Sequence, residues 1–317
     1  MDFADLVDPG LRASLTSVPP GIDPAEDLQR SRERMLERAA VSGDAGNERV
    51  RRADFTAPRP ADNPDGVRVR VYEPRERGAA ELPALLWIHA GGFYGGTVEQ
   101  DDALCDSFVD EIGVVVASVD YRLAPEHPFP AGPEDCYAVL AWLFGTATER
   151  GIDRTRIGVA GYSSGAGFAA ALAQMARDRG EHPVAFQMLL FALLDVPNRA
   201  SSREIVDSRV RNQPTTDRSW HLYLGDSYSS PPPYAAPART TDLAGLPPTY
   251  LAVGQYDVNC EENIEYARRL LLAGVATELH VFPRAFHAFD QLAPEAQISD
   301  DAVASRTRAL RRALEVC

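Results

Sequence analysis

Ile157-Gly158-Val159-Ala160-Gly161-Tyr162-Ser163-Ser164-Gly165-Ala166-Gly167-Phe168 joins a short apolar run to a stretch of small residues. Ile157–Ala160 reads as a buried strand, and Gly165–Arg177 continues at helical spacing. Between them stands Gly-x-Ser-x-Gly. A strand that turns at once into a helix makes a strained bend, which pushes the central side chain out over the sheet edge. Tiny residues two positions either side let strand and helix approach closely. That rule selects Ser163, flanked by Gly161 and Gly165, over Ser164, flanked by Tyr162 and Ala166. The pentapeptide alone occurs by chance and would then be a plain turn. The strand before it and the helix after it favour a nucleophile.

Upstream, the apolar run Ala84–Ile88 ends in His89-Ala90-Gly91-Gly92-Phe93. Glycine N–H groups approach a tetrahedral oxyanion closely because no Cβ obstructs them. Gly91, Gly92 and the N–H of Ser164 are therefore the candidate oxyanion hole. Taken alone, the segment is equally a glycine-rich turn. Its place after a strand, ahead of the serine, is the order that acyl-transfer chemistry on such a sheet needs.

Downstream, an acid and then a histidine are expected. His280 falls inside the strand Glu278–Phe282 and reads as structural. His287 follows that strand in a loop, where catalytic groups gather. Asp257 follows the strand Thr249–Val253 and is placed to fix the tautomer of His287. Asp195, which also ends an apolar strand, is its competitor. Motif order favours Asp257.

Further strands are expected at Val67–Tyr72, Val114–Val119 and Phe186–Leu194. Helices are expected at Glu134–Phe144, Glu261–Ala273 and from about Asp301 to Leu314. Continuous apolar strands alternating with helices indicate a parallel sheet covered on both faces. Asp23, Pro24 and Glu26 form a helix start, Asp23 being the cap. Glu99, Asp101 and Asp102 read as a solvated loop and helix start. Residues 195–240 break the rhythm, with Pro231, Pro232 and Pro233 among aromatics, and are too long for a plain connection. They read as an insertion over one end of the sheet. From it Trp220, with Tyr223 and Tyr228, is expected to join Tyr94 and Tyr162 in walling a substrate pocket. The N-terminal stripe of Leu28, Met35 and Leu36 is expected against the core or over the site.

The chain of 317 residues fits a single α/β fold with an insertion. Its net charge of −14 repels phosphate backbones and anionic head groups, so neither nucleic acid nor membrane is expected as a partner. No apolar run approaches the ~18 residues of a membrane span, and the start lacks the pattern of a signal peptide. Cys105, Cys136, Cys260 and Cys317 are scattered and read as free thiols of a cytoplasmic protein, although spacing does not exclude a disulfide.

These motifs together resemble the hormone-sensitive-lipase-like family of esterases, from about residue 50 onward. His89-Ala90-Gly91-Gly92 resembles that family's His-Gly-Gly-Gly. The stretch from Asp120 to Pro130 resembles its signature segment. The elbow at Ser163 resembles Gly-Asp-Ser-Ala-Gly. Asp257 with Glu261 and Glu262 is similar to Asp-Pro-Leu-x-Asp-Glu, and Phe286-His287-Ala288-Phe289 to a His-Gly-Phe ending. Ala90, Tyr162, Ser164 and Val258-Asn259-Cys260 depart from the pattern without removing a catalytic group. The departures bear on substrate choice. His127 and Arg122 read as parts of a braced loop.

The resemblance implies an α/β-hydrolase fold, a mostly parallel eight-stranded sheet flanked by helices, with a helical cap. The divisions expected are 1–45 and 195–240 as cap, and 46–194 with 241–317 as core. It implies a serine carboxylesterase acting on a small-molecule ester, with no metal or organic cofactor and with a homodimer left open. An amidase or lactam hydrolase would use the same groups. A non-catalytic ligand-binding protein on this fold, as in plant hormone receptors that resemble the family, would lack a catalytic group. Here Ser163, Asp257 and His287 are all present.

Overall fold

The computed structural model describes residues 2–17, 23–24, 26–40, 46–58, 64–197 and 205–315. Cys317 and residues 41–45 and 198–204, which fall in the segments expected as cap, lie outside them. Eight strands form one sheet: β1 (Val50–Ala57), β2 (Val67–Pro74), β3 (Leu82–Ile88), β4 (Val115–Val119), β5 (Ile152–Tyr162), β6 (Phe186–Leu190), β7 (Thr249–Tyr256) and β8 (Thr277–Phe286). Their order is β1-β2-β4-β3-β5-β6-β7-β8. β2 runs antiparallel to β1 and β4, and the rest are parallel. The main helices are α1 (Phe3–Leu6), α2 (Ser14–Ser17), α3 (Leu28–Ala40), α4 (Asp102–Ile112), α5 (Ala131–Thr146), α6 (Ser164–Arg179), α7 (Gln213–Leu224), α8 (Cys260–Leu272), α9 (Phe289–Leu292) and α10 (Gln297–Glu315).

β3, β4 and the Ile157–Tyr162 half of β5 are almost wholly apolar because helices cover both faces. Leu86 and Ile88 of β3 face one core with α5, α6 and α8. Leu85 and Trp87 face the other with α4 and α10. From β3 the chain passes to β4 on one side, while β5 lies on the other. Ile88 pairs with Gly161, so the loops that leave β3 and β5 emerge side by side. Such a switch in strand order opens a crevice at the carboxyl ends of the strands.

Four local expectations change. The Phe186–Leu194 run stops being a strand at Leu190, because Phe191 takes φ +53° and the chain bends away. The polar strand β1 was not anticipated, and of α4 only the start at Asp102 was. The N-terminal helix begins at Leu28 rather than near Asp23, and Asp27 is its cap, accepting from the Arg30 N–H at 2.8 Å. The fourth change concerns the acids before α4, since Asp101 and Asp102 are buried. All 32 basic residues are arginine, whose forked guanidinium suits bidentate pairing. Arg52 and Arg70, from β1 and β2, both meet Asp102. These counterions come from about 30 to 50 residues away in sequence, out of reach of a local reading.

Among the described residues Asp101 receives only the Trp87 indole N–H, at 2.7 Å. Burial, the largest cause, pushes its pKa up to about 6, with the neighbouring Asp102 adding to the rise. A carboxyl raised from 3.8 to about 6 binds its proton more tightly when folded. The ionised form therefore costs stability above about pH 6, and the cost fades as pH falls toward 3.8. Asp101→Asn keeps an acceptor for Trp87 without the charge. It should raise stability by about 1–2 kcal/mol at pH 8, the gain shrinking below pH 6. Urea melts of both proteins at pH 8 and pH 4.5 check this, and an equal difference at the two pH values would rule it out.

Candidate active site

The bend after β5 holds Ser163 at φ +56° and ψ −117°, a conformation that side chains rarely adopt. Its N–H donates to the Leu190 carbonyl at 2.8 Å, and its own carbonyl receives the N–H of Gly167 and Leu193. The flanking glycines are required by close approach. A Cβ on Gly165 would stand 2.1 Å from the Ile88 carbonyl oxygen, and one on Gly161 2.4 Å from the Gly165 carbonyl. The strand-to-helix contact is thus as tight as the pentapeptide implies.

Ser163 Oγ lies 3.0 Å from His287 Nε2, and His287 Nδ1 lies 2.8 Å from Asp257 Oδ2. Asp257 is fully buried, and its Oδ1 accepts the Asn259 N–H at 2.8 Å. Acid, imidazole and hydroxyl form one continuous relay. An Nδ1–H held by the carboxylate leaves Nε2 free to accept the serine proton. Glu262, in the segment after the acid, accepts the Leu194 N–H at 2.9 Å and braces the turn beyond β6.

Asp195 stands apart from the relay, paired to Arg239 at 2.6 Å. His280 is held by Glu278 and Ser305. In the signature segment Arg122 is fastened to buried Asp135, while His127 is exposed. Tyr121 donates to the His89 carbonyl and stacks on its ring, supporting the loop of Gly91 and Gly92. Neither glycine N–H donates to a backbone carbonyl among the described residues.

Ser163, His287, Gly91, Gly92, Tyr94 and Tyr162 line a common cavity of about 330 Å³. Tyr162 donates its hydroxyl to Asp290, which Arg306 pairs in turn. A larger open groove of about 640 Å³, between Glu111 and α10, contains none of these residues.

Trp220 does not line the cavity. It is fully buried against Phe93 and Tyr223. Tyr223 stacks on Phe93 in the core, and Tyr228 stacks on His221 and donates to Asp217. The reason is the face that α7 presents. Arg211, Asn212 and Thr215 at its N-terminal end meet the cavity, while Trp220 and Tyr223 turn to the core. Met35 of α3 also lines the cavity, whereas Leu36 is exposed. Arg32 ties α3 down by donating to the carbonyls of Tyr94 and Ala124 and by pairing with Glu126. Arg211 carried no local signal, and the stripe that holds Met35 was expected either against the core or over the site, since only docking decides which face of a helix sees the site.

A serine, imidazole and carboxylate relay at the carboxyl edge of this sheet, beside a glycine loop, defines a hydrolase of the serine type. A sequence profile described as alpha/beta hydrolase fold matches residues 85–291. The chain belongs to that family, in its hormone-sensitive-lipase-like group. It is 35% identical to esterase LipI of Mycobacterium tuberculosis over 292 residues, covering 91% of this chain and 89% of that one. A solved structure of a bacterial heroin esterase superposes with a TM-score of 0.93 at 42% identity, covering 99% of both chains. Esterase LipW from Mycobacterium marinum does so with a TM-score of 0.87 at 39% identity, over 98% of this chain and 96% of that one.

Proposed function

We propose that this protein is a serine carboxylesterase that hydrolyses short-chain carboxylic esters. The relay Ser163–His287–Asp257, open to a cavity edged by Gly91 and Gly92, is the observation that carries the reading. His287 takes the proton of Ser163 as its Oγ attacks the ester carbonyl. The N–H groups of Gly91, Gly92 and Ser164 hold the oxyanion. His287 then protonates the leaving alcohol. Water, deprotonated by the same imidazole, cleaves the acyl-enzyme and restores the hydroxyl. Each step needs only groups of this chain.

In this reading α3 and residues 205–240 form a cap that keeps bulk water from the cavity. The chain acts in the cytoplasm, in keeping with the free, buried thiols of Cys105, Cys136 and Cys260. Among the described residues no helix is long and apolar enough to cross a membrane.

Preference for short esters is supported by the packing of the cap. α3 turns Met35 inward and presents ion-paired Arg30, Glu33 and Glu37 to water. Among the described residues that outer face offers an oil droplet only the isolated Leu36, not an apolar patch. Inside, Tyr94, Tyr162, Val210 and Leu292 bound the cavity. Each methylene that fits gains ~0.8 kcal/mol, roughly fourfold in kcat/KM, until the wall is reached. Across p-nitrophenyl esters from acetate to palmitate, kcat/KM should therefore peak among the short chains. A maximum at palmitate, or activation where the substrate leaves solution, would refute the short-chain preference. No turnover of any ester would refute the esterase.

A further inference from the structure

Arg211, in the loop that leads into α7, lines the same cavity as Ser163 and His287. Its Nε donates to Thr216 Oγ1 at 2.9 Å and its Nη2 to Ser219 Oγ at 2.7 Å. Both acceptors are neutral hydroxyls. Among the described residues no carboxylate comes within ion-pairing distance of Arg211, and Nη1 has no acceptor. Nη1 stands over the glycine loop, 3.0 Å from the point that a Cβ on Gly92 would occupy.

Other half-buried arginines without a carboxylate are provided for differently: Arg269 and Arg284 donate to backbone carbonyls, and Arg150 lies over the Phe55 and Trp142 rings. Acidic residues outnumber basic ones 46 to 32. The buried or half-buried Arg52, Arg70, Arg122 and Arg306 each meet a carboxylate, and so does Arg34, the other arginine of the cavity wall. Burial pulls the pKa of Arg211 down, with Tyr94 and Asp257 opposing. A guanidinium nonetheless stays charged in proteins. A partly buried cation without a counterion is costly. The wall of a reaction cavity is where that missing partner can arrive with the substrate.

We propose that the site takes esters bearing a carboxylate, which Arg211 holds through Nη1 while Gly91 and Gly92 hold the ester oxygen. The proposal rests on the esterase reading and adds the charge of the substrate. The net charge of −14 does not oppose it. Distant charges are screened beyond about 10 Å at 0.1 M salt, whereas Arg211 acts at contact. Charge-assisted hydrogen bonds are roughly twice as strong as neutral ones, and a planar guanidinium is well shaped for a carboxylate.

The test compares monoethyl glutarate with ethyl valerate by ethanol release. Wild-type protein should favour the anion in kcat/KM, chiefly through KM. Arg211→Gln should lower that preference by about 10- to 100-fold, and Arg211→Lys should retain part of it. Calorimetry with monoethyl glutarate on Ser163→Ala, which cannot form the acyl-enzyme, should give a dissociation constant that weakens by the same factor when Arg211→Gln is added. A wild-type enzyme indifferent to the carboxylate would overturn the proposal even if Arg211→Gln fails to fold. So would a variant that slows both esters equally, since Arg211 would then serve the oxyanion or the fold. If neither ester is turned over while Ser163→Ala still binds the anion through Arg211, the esterase reading fails and the carboxylate site stands.

Discussion

Ser163→Ala is expected to lower kcat by about 10⁶-fold and to abolish labelling by a fluorophosphonate. The magnitude follows from removal of the nucleophile in another serine hydrolase relay. It is a loss of function without a loss of structure, because the hydroxyl contributes one hydrogen bond, to His287 Nε2. Alanine is no larger than serine and leaves the bend itself in place. The φ of +56° at this position is strained for either residue. Stability should thus change little while chemistry stops. Peptide mapping of the labelled wild type should find a single adduct, at Ser163. Labelling that persists in the variant, or an adduct at Ser164, would remove the assignment. The backbone argues for the first serine, since Ser163 lines the cavity and Ser164 begins α6.

Asp257→Asn should cost about 10⁴-fold in kcat with the fold retained. The direction follows from the two hydrogen bonds of the carboxylate. Oδ1 accepts the Asn259 N–H, and Oδ2 accepts from His287 Nδ1. In asparagine one of these positions becomes an NH2. The Asn259 N–H can only donate, so the amide oxygen must face it and the NH2 must face the imidazole. His287 Nδ1 is then forced to accept, which moves the ring proton to Nε2. That nitrogen faces Ser163 and can no longer take its proton. Activity of the variant should stay low across the pH range in which the wild type works, because the fault is a tautomer rather than a charge. Asp195→Asn provides the contrast. It weakens a pair with Arg239 at the edge of the insertion and should leave kcat nearly intact. A crippling effect of Asp195→Asn with a mild one of Asp257→Asn would reverse the choice of acid.

The relay was legible because its geometry is written in short-range features. Gly161 and Gly165 mark a contact that no side chain fits, and the position of each strand end is set by where an apolar run stops. The cavity wall was not legible. Tyr94 and Tyr162 could be placed beside Ser163 because they sit within a few residues of its loops. Trp220 could not, because its aromatic character suits a core as well as a pocket, and the packing on Phe93 takes it to the core. Asp101 and Asp102 look solvated in sequence and are buried in the fold for the same kind of reason. Their burial depends on Trp87, Arg52 and Arg70, which other strands deliver.

The α/β architecture, the elbow at Ser163 and the places of Asp257 and His287 after the later strands could be read from the chain alone. Each rests on apolar periodicity or on a backbone demand that acts within a few residues. How α3 and α7 pack beside that relay was settled by long-range contacts. Arg32 binds α3 to the carbonyls of Tyr94 and Ala124, and α7 buries Trp220 while leaving Arg211 in the cavity. Those outcomes depend on contacts across as many as 90 or more residues of chain, where a side chain's chemistry says what it needs and not which partner will supply it. For Arg211 no carboxylate among the described residues comes within ion-pairing distance, and it is that place we propose for the substrate's own.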